Sequence, residues 1–156
     1  MEIRPLIEEL PLQTNRTGGE VVVADDLGQS PYDALALPDR LRWIVAPGLG
    51  VFALRLAAIQ AARGEIVIVT EDHCHVTPDW CQTIIDLHAR HPGADLIQGR
   101  VDNGSQARAI DRAAFMMLQW RNVPPIDRVE AARALGINGS AFKRRALDAL
   151  LSSHPD

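Results

Sequence analysis

The chain has 156 residues, of which 47% are hydrophobic and 23% charged, enough for one domain with its own core and with no sign of two. Its formal net charge of −4, with Lys143, Arg144 and Arg145 as the only basic cluster, argues against nucleic acid as the main partner. Two cysteines are too few for a disulfide framework, no apolar run reaches the roughly 18–20 residues of a membrane span, and the amino terminus has no signal-peptide pattern, so the expectation is a soluble cytoplasmic protein, peripheral to the inner membrane if its substrate is membrane-bound.

EVVVA (residues 20–24) follows Gly18-Gly19, precedes Asp25-Asp26 and reads as a buried strand. Residues 51–62 are rich in alanine and leucine and read as a helix with Gly64 as its C-cap. EIVIVT (65–70) is the next strand. Thr77-Pro78 supplies an N-cap and a proline at the first helical position, after which Trp80, Ile84, Leu87 and His88 share one helical face. Residues 95–101 read as a third strand, 105–121 as a helix and 143–151 as a last helix, with irregular loops at 31–40 and 122–127. Alternating strands and helices predict a single α/β domain, its parallel strands covered by helices. Trp43, Phe115, Met116, Met117 and Trp120 read as core or partner-facing residues rather than a cofactor site.

The chemistry concentrates in GEIVIVTEDHCHVTPDW (64–80), where Glu71, Asp72 and His73 stand at the end of an apolar strand. The carboxyl end of a buried strand is the usual ligand crevice of an open α/β sheet. If strand geometry continues to His73, residues 71 and 73 face one side and Asp72 the other. A carboxylate beside a neutral imidazole suits Mn²⁺ better than Mg²⁺, which prefers oxygen alone. The plainer alternative is a solvated strand end with an incidental histidine. His73, Cys74, His75 and Cys81 have zinc-ligand chemistry, but their spacing matches no common structural zinc pattern.

Taken in order, VVVADD, GLGVFALRLAAIQAARGEIVIVTEDHCHVTPDW, LIQGRVDNG and GINGSAFKRRAL resemble the family 2 glycosyltransferases of the GT-A fold over about residues 4–150. The resemblance implies a nucleotide-diphospho-sugar transferase-like, Rossmann-like sandwich with a mostly parallel central sheet. Asp25 and Asp26 match the acidic pair that receives base and ribose, and ionised carboxylates are pure acceptors suited to that task. The plainer alternative, read from the residues alone, is that they form a turn after the strand. Glu71 and His73 match the outer positions of the metal-binding DxD, here ExH, with Asp72 between them on the nucleotide side.

Arg55 aligns with an arginine in the preceding helix, placed to contact the diphosphate or to hold an acidic site residue; a helix-surface arginine is the alternative. Gly99, Asn103 and Asn138 fall in segments resembling the acceptor and sugar side, although Gly and Asn are also common turn residues. The implied activity is transfer of a sugar from a nucleotide-diphospho-sugar donor, UDP-linked, to a hydroxyl of a saccharide or lipid-linked acceptor, with a divalent metal, Mn²⁺ before Mg²⁺. The competing expectation is a non-catalytic nucleotide-sugar-binding or partner-binding module of the same fold.

The family's usual opening strand, of the type VSVVIPTYN, has no counterpart before residues 4–10, which resemble the helix that follows it. The acidic ED segment that carries the family's base lies beyond the NxAFxRR region, and this chain stops at Asp156. The domain, residues 1–156, is therefore expected to be shortened at both ends and no catalytic residue is assigned. A missing strand would leave an uncovered sheet edge, through which the chain is expected to form a homo-oligomer or to recruit another segment, such as the stretch before Arg4.

Overall fold

The computed structural model describes residues 4–27, 39–104, 108–119, 136 and 138–153. The described elements run α1 (Arg4–Thr17), β1 (Val21–Asp25), β2 (Leu41–Val45), α2 (Val51–Ala61), β3 (Ile66–Val69), α3 (Trp80–Arg90), β4 (Leu96–Gln98), α4 (Ala109–Gln119), β5 (Ser140–Lys143) and α5 (Arg144–Ser153). Among these, no helix is long and apolar enough to cross a membrane. The expected loop at 122–127, most of the one at 31–40, and Trp120 lie outside the described residues.

The strands form two small sheets. β1 and β2 pair in parallel, Val21 opposite Leu41 and Asp25 opposite Val45. In the other sheet β5 lies between β3 and β4 and is antiparallel to both. The expectation of one mostly parallel sheet is thus corrected to a mixed arrangement. The reason lies in β5: SAFK is too short and too weakly apolar to read as a strand, yet Ser140 and Ala141 have no exposed surface because strands flank them on both sides. The expected last helix accordingly starts one residue later, at Arg144.

α1 runs past Pro11, beyond the expected 4–10 segment. An internal proline removes one helical hydrogen bond, but Leu6, Ile7, Leu10, Gln13 and Thr14 are all buried on this helix and hold it in place. Leu6, Leu10 and Cys81 form a small core, with Val21, Val76 and Trp80 packed against it. Burial pushes the Cys81 thiol pKa up. α3 starts at Trp80 rather than after Thr77, because residues 77–80 form a turn in which Trp80 N donates to Thr77 O at 3.1 Å. The helix start is capped from a distance: Gln13 donates Nε2 to Thr77 O at 2.8 Å and accepts Cys81 N on Oε1 at 3.0 Å. Of the expected α3 face, Ile84 and His88 are buried with Cys81, while Trp80 is half-buried.

Gly64 is not a left-handed cap. The cap residue of α2 is Ala62, extended at φ −64° and ψ 141°, and a Cβ on Gly64 would sit 3.0 Å from Ile66 O. The last carbonyls of α2 are instead held by arginines. Arg42 from β2 donates to Ala61 O, and Arg144 donates to Ala62 O at 2.6 Å and Ile59 O at 3.4 Å. Hydrogen bonds from charged donors contribute about 1.5–3 kcal/mol, so Arg144→Met is expected to lower unfolding free energy by about 1–3 kcal/mol, read as a lower urea midpoint at unchanged slope.

His88 is 4% exposed and its Nε2 lies 3.3 Å from Ala141 O. Burial holds its pKa below the ordinary value of 6.5, with nearby Lys143 acting in the same direction and Ala141, Ala94 and Asp95 opposing. The folded state therefore keeps the ring neutral where the unfolded chain begins to protonate. Stability should be level above about pH 6.5 and fall as pH drops below it, by up to ~1.4 kcal/mol per pH unit, until the folded-state pKa is passed. In urea titrations at pH 7.5 and 5.5, His88→Gln should lose this part of the slope.

Candidate functional site

β1 and β3 belong to different sheets, and between them lies a cleft of about 1040 Å³ lined also by α1 and α2. Glu20 ties their starting ends together. Its Oε2 accepts from Arg42 at 2.9 Å and its Oε1 from Arg63 N at 2.7 Å, so the start of β1 is tied to the residues just before β3. At the other end, β2, parallel to β1, leads into the start of α2, and Arg55 in the first half of α2 reaches Glu71 just after β3, so both strands end at the same mouth, where Asp25, Asp26, Glu71 and Asp72 line the cleft.

Asp25 closes β1 and Asp26 follows it, exposed. Asp25 Oδ1 accepts Leu27 N at 2.9 Å, the local turn that aspartate forms readily. This hydrogen bond engages one oxygen of Asp25.

β3 stops at Val69, so strand alternation does not extend to His73 as expected. A turn does the work: Cys74 N donates to Glu71 O at 3.1 Å, folding residues 71–74 back. His73 Nε2 consequently lies 3.4 Å from Glu71 Oε2, and its Nδ1 lies 3.3 Å from Asp72 Oδ1. Residues 71 and 73 are adjacent, but Asp72 does not point away from them. A neutral imidazole has one N–H, so it can donate to only one of these carboxylates while presenting a lone pair at its other nitrogen.

Arg55, carried on α2, donates to Glu71 Oε1 and lies 5.6 Å over the Phe52 ring. Of the two roles expected for this arginine, the structure shows it holding the acidic residue. Asn138 supports the other Glu71 oxygen, donating Nδ2 to Oε2 at 3.5 Å and to Cys74 Sγ at 3.0 Å, while its Oδ1 accepts from Thr70 Oγ1 at 3.2 Å. Gly139 follows at φ +75°, and its N–H donates to Val69 O at 2.7 Å, which fixes Asn138 at the end of β3. Asn138 thus belongs to the Glu71 network.

Gly99 and Asn103 do not line the cleft. A Cβ on Gly99 would meet nothing within 4 Å, so no packing requires glycine there. Gln98 makes the connection instead, donating Nε2 to Asn138 O at 3.5 Å while its Oε1 accepts Gly136 N at 3.0 Å. Thr70 and Gln98 were missed by sequence reasoning, and Cys74 was considered only as a zinc-type ligand; Thr70 and Cys74 flank the ExH triplet, and that adjacency was the available signal. Cys81 sits in the core and Cys74 is half-buried against Asn138, which separates two of the zinc-type side chains.

Among the described residues, no group of three His, Cys, Asp or Glu side chains converges to hold a metal ion. Glu71 Oε2 and His73 Nε2 offer two adjacent donors, which fit a cation that takes its remaining ligands from phosphate and water. The cleft mouth is otherwise acidic, and a diphosphate would meet repulsion there without a cation between.

No curated protein and no solved structure matches the chain. The family model for glycosyl transferase family 2 matches residues 2–147, a span that includes the acidic mouth and the Glu71 network, and the chain belongs to that family.

Proposed function

We propose that the chain binds a nucleotide-diphospho-sugar, UDP-linked, at the acidic mouth of the cleft and transfers the sugar to a hydroxyl of a saccharide or lipid-linked acceptor. The observation that carries this reading is the convergence of Asp25, Asp26, Glu71 and Asp72 on one mouth, at the carboxyl ends of β1 and β3. The GT-A arrangement belongs to the same proposal. Asp25 and Asp26 would accept hydrogen bonds from uracil N–H and ribose hydroxyls, Asp25 through the oxygen that does not serve Leu27 N.

Glu71 and His73 would hold a divalent ion, Mn²⁺ in preference to Mg²⁺ because one donor is nitrogen. When bound, such an ion stabilises charge on the leaving nucleoside diphosphate. Arg55 then acts mainly by positioning: it fixes Glu71 Oε1 and leaves Oε2 directed toward His73. Gly99 and Asn103 stay in this proposal as acceptor-side residues beyond the cleft, with Asn138 linking that side to Glu71.

A second reading, a nucleotide-sugar-binding or partner-binding module without transfer, is favoured by the unjoined sheets, since the cleft runs between β1 and β3 right up to the site. A panel of nucleotide sugars assayed for hydrolysis and transfer separates the two. Turnover with any donor supports the transferase, whereas binding without turnover supports the module.

For the metal site, calorimetry with UDP should show binding that requires Mn²⁺, weakened about tenfold or more in His73→Ala, equivalent to ~1.4 kcal/mol. Equal affinity with and without Mn²⁺ in both proteins would remove the metal role.

The paired aspartates make a contrasting case. Asp26→Ala should lower UDP affinity and leave the melting temperature unchanged, while Asp25→Ala should lower affinity and also cost about 0.5–1.5 kcal/mol of stability through the lost bond to Leu27 N. Thermal melts run beside the calorimetry check both. Stability loss with affinity intact would leave the aspartates a turn-forming role only.

A further inference from the structure

The backbone at Asn138 is tied to the ends of two strands. Gly139 donates its N–H to Val69 O, the last residue of β3, at 2.7 Å. Asn138 O accepts from Nε2 of Gln98, the last residue of β4, at 3.5 Å. With the main chain held on both sides, the remaining freedom of Asn138 lies in its side-chain torsions, and these decide which end of the amide meets Glu71.

The two ends of an asparagine amide have almost the same shape and opposite chemistry: the oxygen only accepts and the nitrogen only donates, so its orientation follows from its partners. The Glu71 carboxylate, ion-paired with Arg55, only accepts, and the amide end 3.5 Å from its Oε2 is therefore the nitrogen. The oxygen then faces Thr70, whose hydroxyl must donate to it, at 3.2 Å. Cys74 Sγ lies 3.0 Å from Nδ2 and 3.5 Å from Oδ1, a weak partner for either end that does not choose between them. The donors thus run one way, from the Thr70 hydroxyl to the Asn138 carbonyl and from the Asn138 amide to Glu71, an arrangement in which each bond polarises the next.

We propose that Thr70 is a positioning residue for Glu71 and acts through Asn138: its hydroxyl keeps the Asn138 amide turned with nitrogen toward Glu71 Oε2. In this orientation Nδ2 takes one lone-pair direction of Oε2 and leaves another for a cation shared with His73 Nε2. With the amide reversed, Oδ1 would face Oε2, two acceptors would repel, and the carboxylate would turn away from His73. Groups that hydrogen-bond a metal-ligating carboxylate fix its direction, and their loss weakens metal binding although they never touch the ion. The inference rests on the reading of Glu71 and His73 as metal ligands, and it gives Asn138 a role on the metal side of the site.

The test compares three variants of the full chain: Thr70→Val keeps the shape and removes the hydroxyl, Thr70→Ser keeps the hydroxyl, and Asn138→Asp exchanges the donor for an acceptor. Calorimetry measures UDP binding with and without Mn²⁺, and NMR follows the Asn138 side-chain amide protons in the proteins without metal or nucleotide. Thr70→Val should weaken Mn²⁺-dependent UDP binding about three- to tenfold, the range of one neutral hydrogen bond. Asn138→Asp should weaken it by about tenfold or more, and Thr70→Ser should bind as the wild type does. The Asn138 amide protons should exchange with water faster in Thr70→Val and at the wild-type rate in Thr70→Ser. Thr70→Val binding as tightly as the wild type, Thr70→Ser binding as poorly as Thr70→Val, or amide exchange unchanged in Thr70→Val would overturn the proposal while Mn²⁺-dependent binding by the wild type kept the metal reading in place. Wild-type UDP binding that does not respond to Mn²⁺ would instead remove the metal reading itself, and the role of Thr70 with it.

Discussion

The relation between the two sheets depends on how the carboxyl end of α2 is held. No strand-to-strand hydrogen bond joins β1 to β3, so their spacing is set by what packs across them. The last carbonyls of any helix lack partners within it and carry the negative end of its dipole. Here one guanidinium comes from each sheet: Arg42 reaches Ala61 O from β2, and Arg144 reaches Ile59, Ala62 and Gly64 from the end of β5. A planar, always-charged donor with several N–H groups suits this shared task better than lysine would. Glu20 completes the clamp by balancing Arg42 and accepting Arg63 N.

This clamp has an effect further back along the same helix. Arg55 projects from the same α2 whose far end is pinned, and it sets one oxygen of Glu71. The position of the acidic mouth therefore follows from contacts at the opposite end of the cleft. Asn138 performs the matching service from the turn that leads into β5, so Glu71 is approached by one side chain from the helix and one from the entry to the antiparallel sheet. A carboxylate fixed from both sides has little conformational freedom left to lose on meeting a ligand, which is the basis of preorganised recognition.

What was legible in the sequence was whatever depends on near neighbours. EVVVA, EIVIV and the alanine-rich helix declare themselves through composition and flanking glycines, and β1, β3 and α2 follow. β5 does not, since SAFK becomes a strand only because β3 and β4 lie on either side of it. The start of α3 was misplaced for a similar reason: Thr77-Pro78 has local capping chemistry, but the group that binds the helix start is Gln13, far away in α1. At the site, the triplet 71–73 was identifiable and its geometry was not, because a turn closed by Cys74 N replaces strand alternation. The contact between Asn138 and Glu71 joins segments 67 positions apart, and no local pattern encodes it.

The position of β5 also bears on how the chain acquires its structure. Val21 and Leu41, partners in the parallel pair, are separated by only 20 positions, whereas Ile66 must wait for Lys143. Closing the longer loop adds entropic cost, and pairings distant in sequence form more slowly. During synthesis β3 and β4 leave the ribosome well before the strand that lies between them. The apolar edges of IVIV and LIQ are thus open in the nascent chain for as long as the intervening residues take to be made. Within this period they are the segments most exposed to mispairing, and the ones a chaperone would have most reason to cover.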